Sequence, residues 1–199
     1  MPTVRAHGIS ADLPRGFEGR IFRRPATGPE RPYPVAHFAT FPLPPDTADF
    51  GGGAVDRMGP LDIFVVLFEY GPESLGAPLF ERVGMPRSLS PAQFRPYTIR
   101  RGLGGQSGTQ WFFTENDRPF TLYAVLGGHS QRFRLLPRLN ALLASIAVAP
   151  AMAPQRLGSV GSVGSVGSVG SVGSVPPAGG GSNGGGQSGN APGLGGSSP

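Results

Sequence analysis

The fold turns on Thr109-Gln110-Trp111-Phe112-Phe113-Thr114-Glu115, then Asn116-Asp117-Arg118-Pro119, then Phe120-Thr121-Leu122-Tyr123-Ala124-Val125-Leu126. The outer segments are rich in aromatic and β-branched residues, which suit a pleated, half-buried surface. Asn116, Asp117 and Pro119 between them are turn formers. A β-hairpin follows. Gly127-Gly128 ends it. Beyond lie Phe133, Leu136, Leu139, Leu142, Leu143 and Ile146, at helical spacing. Pro137 falls inside that pattern, and proline is best tolerated in a first turn, so the helix starts either at Pro137 or, with Ser130 as its N-cap, soon after Gly128. The whole reads as a hairpin with an amphipathic helix folded over it.

Upstream segments extend the sheet. Gly8–Pro14 reads as a short edge strand stopped by proline. Phe17, Gly19 and Ile21 alternate with Glu18 and Arg20, which predicts a half-buried strand in which Phe22 is out of phase. Val35–Phe41 is a third strand. Ile63–Phe68 is six consecutive apolar residues bounded by Gly and Pro, the mark of a central strand covered on both faces. Gly71–Gln93 is proline-punctuated loop, and Tyr97–Arg101 reads as one more short strand. Ile146-Ala147-Val148 either continues the helix or forms a last strand. The expected class is α+β: a mostly antiparallel sheet with a C-terminal amphipathic helix on it, in a single domain over residues 5–150.

Residues 151–199 read differently. Gly-Ser-Val repeats six times over residues 158–175, and no charged or aromatic residue occurs from Gly158 onward. A period of three matches neither strand nor helix, so the valines cannot line one face of either. Collagen also repeats in threes but needs proline in quantity, and the repeat has none. The expectation is a disordered low-complexity tail.

All 17 basic residues are arginine, against 12 acidic ones, for a net charge of +5. Complete absence of lysine at unrelated sites is a genome-composition signature of GC-rich coding rather than a functional one. The arginines, with acids interspersed, make only a weak nucleic-acid footprint. There is no cysteine, which removes disulfide and thiolate chemistry. The N-terminus lacks an apolar leader segment, and Leu139–Ala153 is too short and too interrupted to span a bilayer, so the chain reads as cytoplasmic with no membrane partner.

No motif for catalysis stands out. Gly105-Gln106-Ser107-Gly108-Thr109 lacks the last glycine of a nucleophile elbow and precedes a strand instead of joining strand to helix. Gly102–Ser107 is one glycine short of a dinucleotide fingerprint. His7, His37 and His129 stand apart with no metal-ligand spacing, so neither a metal nor a cofactor is expected. Asp62 and Glu69 lie at opposite ends of the central strand and cannot pair, while Glu115 and Asp117 flank the hairpin turn and read as solvated. What remains is geometric. In a hairpin turning at Asn116-Asp117, the breaks at Gly102–Gly108 and Gly127–Arg132 fall at the same open end. Ser107, His129, Ser130 and Arg132 are therefore the candidate ligand-binding residues. Ser130 has a plainer role open to it as a helix N-cap.

The opening Ile9-Ser10-Ala11-Asp12-Leu13-Pro14-Arg15-Gly16-Phe17 and the closing Leu139-Asn140-Ala141-Leu142-Leu143-Ala144-Ser145-Ile146 together resemble PsbP-like α/β/α sandwich domains, and the chain is similar to uncharacterised actinobacterial proteins of this size. The resemblance spans about Arg5 to Val148. It implies a binding module more often than an enzyme. A good core with no convergent set of catalytic residue types points to the same class, a non-enzymatic binding or adaptor domain with a protein partner.

Overall fold

Two nine-residue strands, β6 (Ser107–Glu115) and β7 (Arg118–Leu126), form the hairpin. Asn116 and Asp117 both take positive φ, 51° and 58°. That two-residue turn matches the right-handed twist of the strands, and Asn and Asp tolerate the conformation better than other side chains. The register runs unbroken from Glu115↔Arg118 to Ser107↔Leu126. The computed structural model describes residues 1–23, 32–45, 53–96 and 104–151. The strand expected at Tyr97–Arg101 and the Gly-Ser-Val tail lie outside the described residues.

The hairpin is one side of a five-stranded antiparallel sheet. Its other members are β3 (Glu18–Arg23), β4 (Pro34–Ala39) and β5 (Ile63–Glu69), in the order β3-β4-β5-β7-β6. β5 sits in the middle, and Ile63 to Leu67 are fully buried. Its odd residues join the helix-side core with Phe38, Phe113, Phe120 and Leu122. Its even residues join a second cluster with Val35, Ala39, Ala54, Met58 and Val125. A continuous apolar run is what such two-sided burial requires. Phe22, out of phase for the first core, packs against the second.

A smaller antiparallel sheet closes the helix side. It consists of β1 (Thr3–Ala6), β2 (Ile9–Asp12) and β8 (Ala147–Val148), ordered β1-β2-β8. β2 is thus its middle strand and not an edge, and the domain begins before residue 5. His7 and Gly8 form another positive-φ turn, at 52° and 75°. The helix α1 spans Arg132–Ser145 and buries Leu135, Leu136, Leu139, Leu142 and Leu143. It starts five residues earlier than the proline suggested. Pro137 lies inside it on the exposed side, where its missing N–H removes the bond to the Phe133 carbonyl. Phe133 also departs from expectation: it is 67% exposed, and Leu135 takes the place assigned to it. Ile146 ends the helix and the chain passes directly into β8, which settles the two readings of that segment in favour of a strand.

Side chains of the hairpin tie the two sheets together. Asn116 Nδ2 donates to the Val148 carbonyl at 2.7 Å, and Arg118 makes a larger set of bonds. Arg118 is 6% exposed. Its Nε and Nη2 donate to Glu69 Oε1 and Oε2 at 2.9 and 2.5 Å. Nη2 also reaches the His7 carbonyl at 3.0 Å, and Nη1 reaches the Gly8 and Ala149 carbonyls at 3.2 and 3.1 Å. All five guanidinium donors are used. They join the ends of β5 and β7 to the β1–β2 turn and to the chain leaving β8.

Candidate functional site

The open end of the hairpin brings the two glycine-bearing breaks together. The His129 N–H donates to the Gly105 carbonyl at 2.6 Å. Ser107 is the first residue of β6 and not part of a loop, because Gly108 pairs with Arg95 in both directions at 3.1 Å and so extends the strand backwards. Ser107 stands opposite Leu126, fully buried. The residues in line with it on β7 (Leu122, Ala124, Leu126) belong to the helix-side core, so its hydroxyl points there. Among the described residues Ser107 Oγ has no hydrogen-bond partner, and neither has the buried Nδ1 of His129.

Ser130 is exposed and caps nothing. A 3₁₀ turn over His129–Gln131 precedes α1, Gln131 occupies the N-cap position, and no side chain bonds to the helix start. The N-cap reading of Ser130 is thereby replaced: the turn carries the chain into the helix through backbone bonds alone, with Gln131 N–H donating to the Gly128 carbonyl at 3.0 Å. Arg132 opens α1. Its Nη1 donates to the His129 carbonyl at 3.0 Å, and its guanidinium lies 4.8 Å from the centre of the Phe133 ring.

The space between these loops is occupied by backbone. Gly127 N–H donates to the Asp62 carbonyl at 2.9 Å. A Cβ on Gly127 would stand 1.9 Å from the Gly59 oxygen, and one on Gly128 2.7 Å from the Pro60 oxygen. Both glycines are therefore required for the 127–131 segment to lie against the 59–62 turn. Gln106 is anchored as well, its Nε2 donating to the Val55 carbonyl at 2.9 Å. Among the described residues a concavity at this end lies outward instead. It is a shallow cavity of about 340 Å³ lined by Ser90, Pro91, Ala92, Arg132 and Phe133. Of the four residues singled out from sequence, only Arg132 borders it.

Sequence reasoning missed the side chains that carry most of the ionic chemistry. Glu115 does not project into solvent: it accepts from Arg87 at 3.0 Å and from the Met85 N–H at 2.7 Å. Arg87 also donates to the Ile146 carbonyl. Arg118 was hidden in a turn tetrapeptide, and its partner Glu69 lies 49 residues away in sequence. Asp62 and Glu69 do serve opposite ends of β5, Asp62 accepting from the Gly59 N–H at 2.8 Å and from the Thr40 hydroxyl at 3.1 Å.

Tyr123 lies on the sheet face away from α1, across from Val66 and beside Gln110. Burial raises its hydroxyl pKa above the ordinary value of 10.0. The unfolded chain would then lose this proton first as pH rises, so the folded state loses stability above about pH 10. Tyr123→Phe should flatten the stability-versus-pH curve in that alkaline range and leave it unchanged near neutrality. Urea unfolding between pH 8 and 11 measures the difference.

Among the described residues no group of three histidine or acidic side chains could hold a metal ion, and no helix is long and apolar enough to cross a membrane. Compared with protein families, with curated proteins and with solved structures, the chain matches none.

Proposed function

We propose that this chain is a non-enzymatic binding or adaptor domain. The observation that supports it most is how five of the nine described carboxylates are used. Asp12 accepts from Thr3, Glu18 from the Leu43 N–H, Asp62 from Thr40 and Gly59, Glu69 from Arg118, and Glu115 from Arg87 and Met85. Each ties one part of the fold to another. General acid–base work needs such a group held toward a reacting atom, not spent on the scaffold. Meanwhile α1, whose five leucines are buried, sets Phe133 in solvent beside Arg132 and the apolar Pro91 and Ala92. An exposed aromatic next to a held guanidinium is the composition of an interface centre. The resemblance to PsbP-like domains favours the same reading.

The full-length chain, immobilised, should capture a defined protein from the lysate of its source cells. Phe133→Ser should lose that protein while its far-UV circular dichroism stays that of the parent. Empty capture across several salt concentrations, or capture indifferent to Phe133, would count against the proposal.

A second reading places a small-ligand or hydrolytic site at the open end of the hairpin. Its support is the pair of buried polar atoms without partners, Ser107 Oγ and His129 Nδ1. Ester hydrolysis by the full chain that disappears in both Ser107→Ala and His129→Ala would support it. Hydrolysis that survives either change would eliminate it.

A further inference from the structure

The acidic residues of this chain stop at Asp117. Residues 1–117 hold twelve arginines and twelve acids, and residues 118–199 hold five arginines and no acid, so the entire net charge arises after the hairpin turn. Arg118 is neutralised by Glu69. The other described cations of this half are Arg132, Arg134 and Arg138, and all three belong to α1.

None of the three has a carboxylate partner among the described residues, where the ion pairs are Arg87–Glu115 and Arg118–Glu69. Arg134 and Arg138 are exposed and four residues apart on one helix face, a like-charge spacing that disfavours the isolated helix. Two of the three guanidinium groups are nonetheless held in place. Arg132 is fixed by the His129 carbonyl and the Phe133 ring, while Arg138 donates to the Arg15 carbonyl at 3.4 Å with its guanidinium 5.7 Å from the Phe17 ring centre. Holding the cations in advance reduces the ordering that binding must supply. Beside Arg132 lies the 340 Å³ shelf of Pro91, Ala92 and Phe133.

We infer that the outer face of α1 is a docking surface for an acidic peptide segment of another protein. An apolar side chain of that segment would rest on the shelf between Pro91–Ala92 and Phe133, with its carboxylates on Arg132, Arg134 and Arg138. Arginine suits this role, since its planar fork engages a carboxylate through two parallel hydrogen bonds. A lipid surface fits less well. A helix lying in a bilayer interface submerges a whole apolar face, but the five leucines of α1 are turned into the core and Phe133 is the one bulky apolar side chain that the helix leaves exposed. A duplex would use the cations but not the shelf.

This inference rests on the binding-module reading and can fail separately from it. The direct probe is the full-length chain on an array of twelve-residue peptides, each with four to six Asp or Glu around a central Leu, Phe or Trp. Matched arrays replace the acids by Asn and Gln. Binding should be confined to acidic members, and the matched amide peptides should bind at least tenfold more weakly, as should Arg134→Glu/Arg138→Glu. Arg134→Lys/Arg138→Lys, which keeps the charge, should fall between. Overturning results are no acidic peptide bound, equal binding by the charge-reversed variant, or phosphatidylserine vesicles or a 20-base-pair DNA duplex bound as tightly as the best peptide. Capture of a lysate protein that persists in Arg134→Glu/Arg138→Glu would overturn the acidic-segment inference alone. Empty capture would remove the binding-module reading beneath it.

Discussion

Arg118→Ala should lower the free energy of unfolding by about 3–5 kcal/mol, because it leaves the Glu69 carboxylate buried without its cation. The carbonyls of His7, Gly8 and Ala149 lose their donor at the same time. Domains of this size are stable by roughly 5–15 kcal/mol, so the variant would be marginal at room temperature. Replacing both partners separates the two contributions. Arg118→Met with Glu69→Leu removes the charges together and should recover much of the loss, since a buried pair is often no better than well-packed apolar residues of similar size. Urea unfolding of the two variants beside the parent tests this. A loss below about 1 kcal/mol for Arg118→Ala would mean that the pair behaves like an exposed one.

Phe120→Ala should cost a comparable amount, about 3–5 kcal/mol. The ring is fully buried in the helix-side core and stacks on Phe113, with centroids 5.8 Å apart and planes at 22°. The guanidinium of Arg118 lies 5.2 Å from its centroid, so the ring is also a wall of the ion-pair site. Loss of the ring opens a cavity and admits water to a charge pair that depends on its exclusion. The two sites are therefore coupled, and Arg118→Ala/Phe120→Ala should lose less than the two single losses combined. Phe120→Leu, which keeps much of the volume, should lose distinctly less. Strict additivity in that double-mutant cycle would show that ring and ion pair act independently.

The legible parts of the fold were those written in local chemistry. Asn116-Asp117 between two apolar-aromatic runs specifies a two-residue hairpin, and the unbroken apolar run at Ile63–Phe68 specifies a central strand. Convergence of the two breaks at the open end follows from hairpin geometry. Features set by distant segments were not legible. Thr3–Ala6 is short and half exposed, with a pattern too weak to announce a strand, yet β2 beside it gains a second partner in β8 far along the chain. Ser107 looked like loop because its strand character comes from pairing at Gly108 with Arg95. The early start of α1 was masked by Pro137, whose local penalty is outweighed by the burial of Leu135 and Leu136 on the preceding turn.

The candidate site divides in the same way. Sequence spacing located the right end of the molecule but not which surface there is open. That depended on Gly59–Asp62, nearly seventy residues before Gly127, filling the space between the loops. Arg132 was found because it falls in a break. Phe133 was assigned to the core because hydrophobic periodicity cannot say which of several apolar residues at a helix start will be left outside.

The pairing of β2 with β8 sets the order in which the chain can be completed. Ile9 lies against Val148, and the Ala149 N–H donates to the Gly8 carbonyl at 2.7 Å. During synthesis the first strands must wait, with one edge unpaired, until nearly the whole domain has been made. Contacts of such long sequence separation slow folding. Arg118 can complete its five bonds only after Ala149 has joined, so the staple closes last and acts as a latch on a ring whose two ends are the ends of the domain.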